Sequence, residues 1–534
     1  MSLHRMRISM ENYSKYLILV IAVVFAVGFI ALAIPGINTP TQQTTTMSRI
    51  VAKVNGQKLD RKVYEERVRA QLDQMSQAGP VSAIEEADLR AQIFDMMIDE
   101  MLKLQAAKKE RIRVSRSEVN KRIDEYVEQE MQQIKMSVLQ GRREKMTDEA
   151  FAQELARRRP GMTIPKLRDE IRKNIKPDMV RTSLILEKLS KKIRDRVDTS
   201  DRALRASFEE LHLRQITIGM HKRSPAQAEK QAKELVAKLR AGADFATMAK
   251  ANSDDILKDK GGDYGYVRPE VLDPDLARVA VKMKPGEISD PVKITEGYVI
   301  LNLVDKRENL PKDFDNPAKQ REYRENFIRQ AQARAESLYY YDLRKNAKIE
   351  IFDPELKAHQ LVQDTFTMFG PTTAPQRKAK LEEAIRLLRT AIDSAGDFPN
   401  VKARSYAKMA EIYLMLKSGD FSLSPQEMDT LTQNAIEAYE DALVYTESND
   451  IRMRLAEMYV EKGEYKKAIQ HLEIASENAY DDYQTHVRIQ ALYKRMNRPD
   501  LVAKEQKWMD ENKQLLEQQR GQVMPQDAAA PPGQ

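Results

Sequence analysis

Nineteen consecutive residues, YLILVIAVVFAVGFIALAI at positions 16–34, carry no charge. As a helix rising about 1.5 Å per residue, the run reaches roughly 28 Å, close to the thickness of a bilayer's hydrocarbon core. Arg5, Arg7 and Lys15 precede it, which favours the N-terminus inside and the rest of the chain outside. The other reading is a cleaved signal peptide, cut after Ala33 in Ala31-Leu32-Ala33. The apolar core of such a peptide spans about 7–15 residues, and this run is longer. The expectation is a retained transmembrane anchor at 16–34, with residues 1–15 inside. A polar linker, 35–48 (PGINTPTQQTTTMS), then leads to an exported remainder.

The chain is too long for one core: 534 residues suggest about three or four domains. Charged residues make up 32% and hydrophobic residues 42%, enough for packed cores. Abundant Leu, Ala, Glu, Lys, Arg, Met and Gln beside few Gly predicts a mainly α-helical fold. The net charge of +7 is small for this length and the two signs are interspersed, which argues against nucleic-acid binding. Cysteine is absent, excluding disulfides, thiolate metal sites and a cysteine nucleophile. The six histidines (His4, His212, His221, His359, His471, His486) never stand four apart, so no metal site and no cofactor are expected.

Residues 49–200 show helical periodicity after a short strand, IVAKV, that closes in an Asn55-Gly56 turn; Asp60 is the expected cap of the next helix. Ile93, Phe94, Met97, Ile98, Met101 and Leu102 recur at helical spacing, and amphipathic stretches cover 119–139, 148–157 and 164–196. The methionines Met96, Met97, Met101, Met131 and Met136 are either core filler or a pliable surface for unfolded chains. The pieces VAKVNGQKLDRKVYEERV, LKLQAAKK at 102–109 and IRVS at 112–115 resemble the N-terminal chaperone domain of the SurA, PpiD and PrsA class of exported folding factors.

From 211 to 306 Gly, Pro and β-branched residues appear, and strands alternate with helices. ADFA at 243–246, SDD at 253–255, GGDYGY at 261–266, KPGEIS at 284–289 and EGYVIL at 296–301 resemble, in order and spacing, a parvulin-type prolyl isomerase domain. No GK[ST] follows the glycine-rich turn, so it is not a phosphate cradle. Isomerisation makes no covalent bond; the site must hold proline and lower a rotational barrier of roughly 18–20 kcal/mol. The resemblance implies two facing histidines, an Asp or Cys beside them, and an apolar proline pocket. Here Gln215 and Val299 occupy the histidine positions, and Asp255 the Asp/Cys position as the one candidate catalytic group. Leu272 and Leu276 fall at the pocket positions, and Tyr264 is expected to line the same cleft. His212 has the wrong strand parity to substitute, and His221 lies beyond the expected strand end.

Residues 317–352 read as a long helix followed by a short strand, AKIEI. In the resembling proteins such a segment returns to complete the N-terminal domain; the other reading is a linker helix. In 377–513, Tyr459 and Tyr493 stand one 34-residue period apart in units resembling tetratricopeptide repeats, and Ala410–Tyr413 precedes the second unit with an apparent insertion near 418–429. Such units stack into an α-solenoid that binds peptides or a partner protein. The composition of residues 522–534 (QVMPQDAAAPPGQ) predicts a disordered tail.

The expectation is thus a single-pass protein of a bacterial cytoplasmic (inner) membrane, its bulk on the periplasmic or extracytoplasmic side. It would bind unfolded or newly exported polypeptides without ATP and engage a protein partner through its repeats. Two alternatives stay open: an active peptidyl-prolyl isomerase, and a repeat scaffold of a secretion or envelope complex.

Overall fold

The computed structural model describes residues 48–514 except 78, 139–146, 221–222, 367, 369–372 and 420. The expected anchor (16–34), its flanks 1–15 and 35–47, His221 and the expected tail (522–534) lie outside the described residues. Among the described residues no helix is long and apolar enough to cross a membrane.

The expected N-terminal strand is half of a hairpin. β1 (Ile50–Val54) turns through Asn55 and Gly56, both at positive φ, into β2 (Gln57–Asp60). Asp60 then accepts from the Lys62 N–H and caps α1 (Arg61–Met75). A Ser82–Glu85 capping box starts α2 (Ala83–Lys109), and the face of Ile93, Phe94, Met97, Ile98 and Leu102 buries against Val51, Val54, Tyr64 and Val68. α3 (Arg116–Val138), α4 (Asp148–Arg158), α5 (Ile164–Asn174) and α6 (Pro177–Arg194) enclose a second core around Val127, Met131, Phe151 and Leu184. The expected continuous stretch 164–196 is therefore two helices. Pro177 forces the residue before it out of the helical region, and Lys176 sits at ψ 117°. Of the methionines, Met97 and Met131 are buried as core and Met101 partly so, whereas Met96 and Met136 are exposed.

A short helix, α7 (Asp201–Ala206), leads into an antiparallel sheet of order β4-β3-β6-β5, comprising β3 (Glu209–Gly219), β4 (Asp263–Val267), β5 (Val292–Ile294) and β6 (Gly297–Glu308). α8 (Pro225–Arg240) and α9 (Phe245–Asn252) cover one face through Ile216, Ile218 and Ile300. α10 (Pro274–Ala280) covers the other through Leu211, Leu213, Val299 and Leu301.

The chain then returns. α11 (Pro317–Lys345) lays Tyr339, Tyr340 and Leu343 on Ala106, Ala107, Leu189 and Ile193. It ends in β7 (Ile349–Ile351), which pairs antiparallel with β1, so residues about 300 positions downstream supply the third strand of the N-terminal sheet. Asn55 seals the register: its N–H donates to the Lys348 carbonyl and its Oδ1 accepts from the Lys348 N–H, at 2.8 and 2.9 Å.

Eight helices complete the described chain: α12 (Pro354–Phe366), α13 (Ala374–Ser394), α14 (Pro399–Ser418), α15 (Pro425–Tyr445), α16 (Asn449–Glu461), α17 (Tyr465–Asn478), α18 (Tyr483–Arg495) and α19 (Pro499–Glu511). Each packs on the next, and Tyr439, Tyr459 and Tyr493 are fully buried between them. The array thus starts before residue 377. The apparent insertion near 418–429 is not a loop: α14 and α15 are 20 and 21 residues long where α16 and α17 have 13 and 14. The extra residues extend helices because Ser424 and Glu427 form a capping box right after a short turn. At the far end His486 pairs with Glu505 at 2.6 Å and stacks on Trp508, a core histidine rather than a ligand.

Candidate functional site

Strand alternation puts Gln215 and Thr217 on the α10-covered face of β3, with Leu211 and Leu213. Across the ladder Gln215 opposes Leu301 and Thr217 opposes Val299, so Gln215 and Val299 are diagonal neighbours on one face. Asp255 arrives from the loop after α9, and the two residues before it explain how. The Ser253 hydroxyl accepts from the Thr217 N–H at 2.9 Å, and the Asp254 N–H donates to the Thr217 carbonyl at 2.8 Å. Asp254 Oδ2 accepts from the Gly219 N–H and from Arg223. The Ser-Asp-Asp run is stitched to β3 as if it were a further strand.

Its carboxylate accepts three hydrogen bonds. Asp255 Oδ2 accepts from Gln215 Nε2 at 2.8 Å and from the Thr217 hydroxyl at 2.6 Å, while Oδ1 accepts from the Leu257 N–H at 2.9 Å. Thr217 was not among the expected site residues. Its signal was available, since it stands two residues beyond Gln215 and shares its face. Replacing Asp255 by Ala would leave these half-buried donors unpaired, and the module's thermal unfolding should register a loss of about 1 kcal/mol.

The apolar residues expected at the pocket are buried. Leu272 and Leu276 are 8% and 7% exposed, and Val299 is 1% exposed. All three pack in one cluster with Leu213 and Leu301, because aliphatic side chains at these positions satisfy one another. The exposed apolar groups lie just outside: Ile256 beside Asp255 is 93% exposed and Val271 beside Leu272 is 64% exposed. Tyr264 sits on the edge strand β4, 39% exposed. The structure therefore brings Gln215 and Asp255 together, seats Leu272, Leu276 and Val299 in one core, and leaves Tyr264 at the rim.

His212 points to the opposite face, as its parity requires. Its ring bonds Asp263 at 2.9 Å and lies against Tyr266. Burial pushes the Asp263 carboxyl up, but His212 and the Gly265 N–H together hold it below the usual carboxylate range. Among the described residues no group of acidic, histidine or cysteine side chains could hold a metal ion.

Known proteins share both halves of this arrangement. Residues 212–305 match the model of the PPIC-type PPIASE domain, and residues 6–181 match that of the SurA-like N-terminal domain. The chain is 27% identical over 285 residues to the chaperone SurA of Chromohalobacter salexigens, covering 52% of this chain and 61% of that protein. It is 38% identical over 144 residues to the foldase protein PrsA 2 of Bacillus cereus, covering 27% and 48%. A solved PpiC-type peptidyl-prolyl cis-trans isomerase domain aligns at 32% identity over 20% of this chain and 97% of its own length, with a TM-score of 0.19. The chain thus spans about half to three-fifths of the length of these two curated relatives. It is a SurA and PrsA homologue that joins a SurA-like N-terminal domain to a PPIC-type, parvulin domain.

Proposed function

We propose that this protein is a membrane-tethered extracytoplasmic chaperone for unfolded exported polypeptides, whose parvulin-type module binds clients but isomerises X-Pro bonds weakly or not at all. The observation that carries the reading is the filled site. Asp255 is bonded to Gln215, Thr217 and Leu257, and Val299 lies in the core where the resemblance leads one to expect a second histidine. A group that must favour a twisted amide over a planar one has to meet the substrate; here Asp255 is already bonded to Gln215 and Thr217. The exposed Met96, Met136, Ile256 and Val271 suit short apolar segments of clients. The anchor at 16–34 holds these surfaces at the outer side of the cytoplasmic membrane, and the helical array, as a tetratricopeptide-like solenoid, engages a partner protein.

The test uses the full-length protein in detergent or nanodiscs. Suppression of client aggregation at stoichiometric amounts, without acceleration of a proline-limited refolding reaction, is the expected result. Acceleration at catalytic amounts would reverse the reading in favour of an active isomerase, and absence of both effects would favour the scaffold. Separately, alkaline carbonate should leave the full chain in the membrane fraction; release would mean that residues 16–34 are not an anchor.

A further inference from the structure

The N-terminal domain and the helical array meet where the start of α2 lies against α12 and α14. The contact combines apolar packing with charges, and Leu356 of α12 buries in the N-terminal core. Ala83 and Ile84 of α2 bury in the same cluster as Leu381, Ala403 and Ala407. Arg404 (5% exposed) reaches Glu86 of α2 at 3.0 Å and Glu355 of α12 at 2.9 and 2.8 Å. Lys408 reaches Asp88 of α2 at 2.5 Å. Charges regain hydration when such a contact opens, which lowers the cost of separating its charged part.

A cavity of about 80 Å³ remains inside the joint, and the ring of His359 on α12 lines it. His359 makes no hydrogen bond or ion pair among the described residues. The charged and titratable groups around it come from every element of the joint. α1 supplies Tyr64, α2 supplies Asp88, Arg90 and Asp95, the β7–α12 turn and α12 supply Asp353 and Glu355, and α14 supplies Arg404, Lys408 and Glu411. Most of these carboxylates already serve cations: Asp353 binds Arg61, Glu355 binds Arg404, and Asp88 and Glu411 bind Lys408. A proton on His359 would add a buried cation with no hydrogen-bonded partner, beside Lys408 and only partly offset by Asp95 and Asp88.

We propose that His359 makes this joint an acid-sensitive hinge, in which protonation of the ring loosens α12 and α14 from α2 and lets the helical array swing away from the N-terminal domain. The electrostatics agree in sign. Burial, aided by Lys408, holds the imidazole below its ordinary value against the pull of Asp95 and Asp88. The open joint then binds more protons than the closed one. The closed form is favoured above the ordinary imidazole value of about 6.5 and loses ground as pH falls below it, by up to about tenfold in the closed-to-open ratio per pH unit, until the buried ring itself titrates.

The chain has no cysteine, so pairs of introduced cysteines can be labelled cleanly. Lys58 on β2 and Lys466 on α17 are exposed, one on each side of the joint. Spin labels on full-length Lys58→Cys/Lys466→Cys should give one narrow distance at about pH 7.5 and a second, longer population at about pH 5.5. His359→Gln, neutral at both values, should keep the narrow distance throughout. His359→Arg should show the longer population already at about pH 7.5. An unchanged distribution in the parent between the two values would overturn the proposal. So would an acid response of His359→Gln equal to the parent's, which also serves if His359→Arg does not fold. Neither readout depends on chaperone activity.

Discussion

Gly262→Ala should unfold the parvulin-like module at a temperature where the parent is intact, with a loss of about 3 kcal/mol or more. Two effects add. Gly262 lies at φ +79°, in the left-handed region that costs a non-glycine residue about 1–2 kcal/mol. A Cβ there would also stand 2.3 Å from the Gln215 carbonyl oxygen and 3.2 Å from the Ala249 Cβ. Neither neighbour can give way, because Gly262 accepts the Gln215 N–H at 2.8 Å and Ala249 is fully buried in α9. Gly265, three residues on, is the control: it has a similar φ of +78° and open space around the missing Cβ. Gly265→Ala should cost only the backbone term, about 1–2 kcal/mol. Equal losses in the two variants, measured by calorimetry, would mean that the close approach to β3 is not what holds the turn.

Arg404→Ala should destabilise the protein by about 3 kcal/mol, because at the joint between α2, α12 and α14 it strips Glu355 of its cation and leaves Glu86 with Arg90 alone. Glu355 loses a bidentate partner and Glu86 a 3.0 Å bond, both with side chains less than a fifth exposed. The contrast is the triple replacement Glu86→Leu/Glu355→Met/Arg404→Met. It removes the charges together and should stay within about 1 kcal/mol of the parent or exceed it. Denaturant unfolding of full-length protein reads both. A loss in the triple variant as large as in Arg404→Ala would show that packing, not stranded charge, sets the cost.

Much of this was legible in the residues. Asn55-Gly56 announced a hairpin because a two-residue turn needs positive φ at both positions. The 34-residue spacing of Tyr459 and Tyr493 announced stacked helix pairs, since α16 and α18 begin 34 residues apart. Gln215 and Val299 stood at the positions where the resemblance implies histidines. Each of these signals is local: it lies within one turn, one strand or one repeat, where periodicity and backbone preference act directly.

Other features depended on partners far along the chain. That Leu272 and Leu276 are buried follows only when β6 brings Val299 and Leu301 against α10. That Asp255 is bonded depends on Thr217 and Gln215 arriving at 2.6 and 2.8 Å from a strand almost forty residues earlier. The third strand of the N-terminal sheet and the Glu86–Arg404–Glu355 junction join residues hundreds of positions apart. Sequence alone determined the elements and their order. Tertiary structure decided which side chains are free and which are used up, because burial and pairing are properties of neighbours that a sequence does not place side by side.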